Sequence, residues 1–141
     1  MDVTIKERVH ELYWKHDINC ARTVLTCLCE LFHVNLEAQT SNAAIGLHGA
    51  GGYRAQCGLV EGALMFIGIY FSQKGKSDSD IAALCYQYAD EFTERYSSLK
   101  CTGTEALTTF HRWITETGVA ATFIQASQMS FGVMEKTIIR S

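Results

Sequence analysis

The chain of 141 residues is the size of one ordinary domain, and an apolar fraction of 48% is enough to bury a core without disulfide staples. A net charge of −3 with no run of basic residues excludes the footprint that nucleic-acid binding needs. The longest nearly apolar run, Leu59 to Phe71, falls well short of the about 20 residues of a membrane span and reads as a buried helix, so no membrane association is expected.

Proline is absent, where average usage predicts about 7, which fits helices joined by short turns. The charged N-terminal segment lacks the apolar centre of a secretory signal, and a cytoplasmic protein is expected. A first helix is predicted from Val3 to Lys15, because Ile5, Val9, Leu12 and Tyr13 share one face. Asn19 is a good N-cap for a second, from Cys20 to His33, with Val24, Leu28 and Leu31 turned inward. Asn35 is expected to cap a weaker third helix through Ile45 and Leu47. Gly49-Ala50-Gly51-Gly52 then breaks the helical pattern.

A fourth helix, from near Cys57 to about Phe71, is apolar on nearly all sides and is placed at the centre of the bundle. Lys74-Gly75-Lys76 ends it. Ser77 with Asp80 resembles a capping pair opening the fifth helix, whose buried stripe is Ile81, Leu84, Cys85, Tyr88 and Phe92. Cys101-Thr102-Gly103 reads as a turn. Thr104 caps a sixth helix ending near Gly118, and Phe131, Met134 and Ile138 suggest a last one. The expectation is an all-α, single-domain helical bundle of about six helices, with residues 1–141 as one domain.

Six cysteines stand at positions 20, 27, 29, 57, 85 and 101. Without a signal segment, reduced thiols are the better expectation. Cys57 follows the glycine-rich stretch and opens the central helix, where unpaired N–H groups and the positive helix end favour a thiolate. Cys20 begins a helix too, and the same electrostatics apply. Gly58 and Gly62 lie four apart on the central helix, so either another backbone or a cofactor can come close there. Cys27, amid Val24 and Leu28, is expected to be core. Cys27 and Cys29 point about 200° apart on a helix and cannot share one metal, whereas Cys29 and His33 share a face. Cys85 is expected to be structural. Cys101, in a turn, can approach another thiol without disturbing a helix. Glu61 suits the positive first turn of its helix, and could also serve as a proton donor or ligand beside Cys57. His48 either faces the same site or is an exposed loop histidine. No CxxC, CxxCH, Walker A, GxGxxG, HExxH or GxSxG motif occurs.

Together these residues resemble the redox-active proteins named for their C-GCAxxG-C-C pattern. Asn19-Cys20-Ala21 matches the family's first cysteine. His48-Gly49-Ala50-Gly51-Gly52-Tyr53-Arg54 resembles its glycine-rich turn, and Cys57-Gly58-Leu59-Val60-Glu61-Gly62-Ala63-Leu64-Met65 its GCAxxG segment. Cys101 matches the third cysteine. The likeness covers roughly residues 5 to 107. Three departures stand out: Gln56 replaces the Gly before the cysteine, Gly58 replaces the Ala, and the last cysteine has no counterpart after Cys101.

The resemblance implies redox or cofactor chemistry, and three functions follow. The first is a thiol-based redox or electron-transfer protein acting on a redox partner through Cys20, Cys57 and Cys101. The second is a metal-binding module holding zinc or an iron–sulfur cluster on the same three thiolates. A four-thiolate site would then need Cys85, His48, Glu61 or a second subunit. The third is a non-catalytic helical module forming a homodimer. Helices of such bundles alternate in direction, so Cys20, Cys57 and Cys101 are expected to converge at one end. Gly51, Gly52, His48 and Glu61 would surround them there, with Cys27, Cys29 and Cys85 set apart.

Overall fold

The computed structural model describes residues 5–100. Cys101 and the helices expected after it lie outside the described residues. Within that range the chain is an all-α bundle with no strand and no helix long and apolar enough to cross a membrane.

The first helix forms, but in two registers. Helix α1 (Ile5–Val9) runs directly into a π-helical segment (His10–Lys15). The π register widens the turn by one residue. Val9 and Leu12 remain in the core while Trp14 is 54% exposed. Arg8 clamps the segment to the next helix, donating to both carboxylate oxygens of Glu30 and to Glu11.

Helix α2 (Cys20–Leu31) starts where the cap predicts: Asn19 Oδ1 accepts from the Arg22 N–H at 2.9 Å. It stops earlier than expected. His33 turns left-handed (φ 57°), and the Val34 N–H donates to the Cys29 carbonyl at 2.8 Å, a Schellman-type ending. His33 therefore leaves the helix exposed while Cys29 is buried, and the shared face expected for that pair is lost. The helix is buried on two sides, so Cys27 and Cys29 are both core despite pointing apart.

Helix α3 (Ala38–Ala43) is shorter than predicted and buries none of its residues. Its cap is Glu37; Asn35 instead donates to the Glu37 carboxylate at 2.9 Å. With no apolar face to hold it down, it ends before Ile45 and Leu47 and gives way to turns. The glycine-rich stretch is a single turn, α4 (Gly49–Gly52), of four successive residues with positive φ: 67°, 55°, 68° and 88°. A left-handed run of this kind requires glycine at most positions, and here only Ala50 carries a side chain.

Helix α5 (Gly58–Gln73) lies between α2 and the antiparallel α6 (Asp78–Tyr96), the central place its composition predicts. Phe66, Ile67 and Phe71 are completely buried along it, each side chain worth about 1.5–3 kcal/mol of burial. Ser77 caps α6 by accepting from the Asp80 N–H at 3.3 Å, and Ile81, Leu84, Tyr88 and Phe92 form its buried stripe.

One expectation about direction is corrected. Helices α2 and α5 run side by side in the same direction: Cys20 lies against Gly58, Val24 against Gly62, and Phe32 against Phe66 and Tyr70. Simple alternation fails because α3 and α4 carry the chain back to the starting end before α5 begins.

Candidate functional site

The parallel pairing brings two helix beginnings together. A Cβ added to Gly58 would collide with Cys20 Sγ, and would lie 2.9 Å from the Ala21 nitrogen and 3.1 Å from the Leu47 carbonyl oxygen. At Gly62 it would collide with the Ala21 carbonyl oxygen and lie 3.1 Å from Val24 Cβ. Of the two readings open for these glycines, backbone approach is the geometry observed: helix α2 itself fills the space.

Asn19 has a second role beyond capping. Its Nδ2 donates to the Ile45 carbonyl at 2.7 Å, which fastens the start of α2 to the chain leading into α4. Cys57 stands at the N-cap of α5 with extended backbone (φ −64°, ψ 136°), and its N–H donates to the Leu99 carbonyl at 2.7 Å. Its neighbour Gln56 pairs antiparallel with Lys100, the residue before Cys101. Tyr88 completes the anchoring, its hydroxyl donating to the Leu59 carbonyl at 3.2 Å.

Above these helix ends opens a cleft of about 780 Å³. Cys20 and Cys57 line it, together with His48 and Gly52 from the glycine-rich turn. Cys20 is half-buried, whereas Cys57 is only 5% exposed. The Nδ1 of His48 is fully shielded and has no hydrogen-bond partner among the described residues. Gly51 is exposed in the same turn and does not line the cleft. Glu61 is half-buried in the first turn of α5 and does not line it either. Cys101 lies outside the described residues.

Several cleft residues escaped the sequence reading. Tyr13, Trp14 and Asp17 come from the π-helical segment and the turn after it, Arg22 from α2, Ile45 from the turns after α3, and Arg54 from the loop before Cys57. The π register was the missing information, because a regular α-helix gives no reason to expect Trp14 at a site. The loop Arg54 carries a positive φ of 64°, unusual for a residue with a Cβ.

The remaining described cysteines sit in a different environment. Burial pushes the Cys27 thiol up to about 12 and the Cys29 thiol up to about 11, with the Glu30 carboxylate adding in the same direction. Burial raises Cys85 too. These groups stay protonated at neutral pH and are poor nucleophiles and metal ligands. None of them lines the cleft.

Zinc and iron–sulfur sites generally use four protein ligands. Among the described residues no group of three His, Cys, Asp or Glu side chains is arranged to hold a metal ion. Cys20, Cys57 and His48 share the cleft without making such a group.

Fold and site define an all-helical protein with a cysteine-lined cleft at paired helix beginnings. The chain belongs to the family C_GCAxxG_C_C, described as "Putative redox-active protein", whose pattern matches residues 18–130. The match begins one residue before the Asn19 cap and continues past Cys101. No curated protein and no solved structure matches the chain.

Proposed function

We propose that this is a thiol-based redox protein that exchanges electrons through a reversible disulfide drawn from Cys20, Cys57 and Cys101. The observation carrying this reading is that Cys20 and Cys57, from separate helices, open into one cleft away from the high-pKa thiols of the core. Membership of a redox-active family supports it. The register of Lys100 on Gln56 supports the inclusion of Cys101, the next residue in the chain.

In the reaction, Cys20 is the attacking sulfur because it is the more accessible of the two. Its thiolate attacks one sulfur of an oxidised partner's disulfide, forming a mixed disulfide and expelling the partner's other sulfur as a thiolate. The Cys57 thiolate then attacks Cys20 Sγ, breaks the mixed disulfide and releases the second partner thiolate. Two electrons pass to the partner, and the two protons lost by the cysteines end on the partner's thiols. The positive ends of α2 and α5 favour the thiolates this requires. Such a protein belongs in a reducing compartment such as the cytoplasm, in keeping with the thiol state of Cys27, Cys29 and Cys85.

Thiol counting before and after mild oxidation, with metal analysis of anaerobically purified protein, tests the reading. The expected result is the loss of two thiols on oxidation, restored by reductant, in metal-free protein. Retention of all six thiols after oxidation contradicts it. Stoichiometric zinc or iron released when Cys20 is replaced would assign the same sulfurs to a metal centre instead.

A further inference from the structure

The walls of the cleft carry more information than its cysteines. Its volume of about 780 Å³ is within the range of small-molecule sites, roughly 300–1,000 Å³. Trp14 and Ile45 line it while remaining 54% and 52% exposed, so apolar surface faces the opening. Two arginines, Arg22 and Arg54, and one carboxylate residue, Asp17, are among its lining. Neither arginine is paired with a carboxylate among the described residues; the Arg22 guanidinium makes only long hydrogen bonds there, of 3.3 and 3.4 Å, to Ser41 Oγ. This contrasts with Arg8 near the other end of α2, whose guanidinium is held by two carboxylates. Arginine presents a planar fork suited to carboxylates, and a cationic cleft raises the encounter rate of anions.

Building on the redox reading above, we propose that the oxidant or product handled at this cleft is a low-molecular-weight disulfide or thiol bearing carboxylate groups. Arg22 and Arg54 bind the carboxylates, Trp14 and Ile45 cover the carbon chain, and the sulfur is delivered to Cys20. The electron balance is that of the exchange already described: one external disulfide is reduced to two thiols as the protein dithiol becomes a disulfide. The two arginines act by positioning and do not touch the reacting sulfurs.

The experiment follows oxidation of the fully reduced chain by three small disulfides of similar size. These are dithiodipropionate (a dianion), bis-hydroxyethyl disulfide (neutral) and cystamine (a dication), each rate being normalised to the same disulfide's reaction with dithiothreitol. At low salt the dianion should react about tenfold faster than the neutral compound, and the dication slower still, an advantage that shrinks as salt rises. Arg54→Gln, at an exposed loop position, should lose most of that preference. Lys74→Gln removes the same charge at the far end of α5 and should retain it. Equal normalised rates for the three disulfides, or equal behaviour of the two variants, overturn the substrate assignment and leave the redox dithiol standing. No reaction with any of the three overturns both proposals.

Discussion

At its starting end the α2–α5 pair meets through Cys20, Ala21, Gly58 and Gly62; at its finishing end the same two segments meet through Phe32, Phe66 and Tyr70. The small residues let two helix beginnings touch backbone to side chain and leave a cleft above them. The aromatic residues fill the space between the helices, with ring centroids 5.3–5.5 Å apart between Phe32 and its two partners. One end is therefore open, and the other is dry and packed. The packed end holds the buried rings, and the open end is where the proposed thiol chemistry would sit; Cys20 and Cys57 line the cleft there, whereas Cys27, Cys29 and Cys85 do not.

The largest expected effect comes from breaking the packed end. Phe66→Ala removes a fully buried ring stacked on Tyr70, and should destabilise the protein by about 3–5 kcal/mol in denaturant titration. The reactivity of Cys20 should survive in the fraction that remains folded. A smaller loss than about 1 kcal/mol would mean that the aromatic end is not the anchor described here.

At the open end the contrast can be sharpened with two glycines of the same helix. Gly62→Ala drives its new methyl group into the Ala21 carbonyl and should cost about 1–3 kcal/mol despite the better helix propensity. Gly68→Ala meets nothing within 4 Å and should stabilise by about 0.5–1 kcal/mol. Thermal melts of the two variants should shift in opposite directions. Shifts of the same sign would show that the close approach of α2 to α5 is not tight at Gly62.

The smallest effect concerns the core thiols. Burial raises Cys27 from 9.0 to about 12 and Cys29 from 9.0 to about 11. The folded state therefore holds protons that the unfolded chain gives up above pH 9, and stability is present in full below that pH. It falls as pH rises toward the folded values. Cys27→Ala should show a shallower loss of stability between about pH 9 and 9.5 than the parent chain, by a fraction of a kcal/mol. Identical slopes would contradict the burial of that thiol.

Much of this division was legible in the sequence. Asn19 and Ser77 announced the caps of α2 and α6, and the spacing of Ile81, Leu84, Tyr88 and Phe92 gave the buried face of α6. Cys20 and Cys57 were marked by their positions at helix starts. Other features depend on tertiary contacts that periodicity does not carry. The π register of His10–Lys15 placed Tyr13 and Trp14 on the cleft, where the apolar spacing alone suggested an ordinary amphipathic helix. The parallel direction of α2 and α5 comes from the return path through α3 and the left-handed turn at Gly49–Gly52. Arg22 and Arg54 were not singled out for the site, because nothing local distinguishes a cleft arginine from a solvated one. Glu61 had the right helix and first-turn position, yet it does not line the cleft.

In the proposed function, the sulfurs at the open end form the redox centre and those of the packed core do not. Disulfide mapping by peptide mass spectrometry tests it directly, after the reduced full-length chain is titrated with a small disulfide and trapped with a thiol-alkylating reagent. The expected result is one dominant linkage joining two of Cys20, Cys57 and Cys101, with Cys27, Cys29 and Cys85 alkylated as thiols. A dominant linkage through Cys27, Cys29 or Cys85, or alkylation of all six cysteines at every step of the titration, would contradict it.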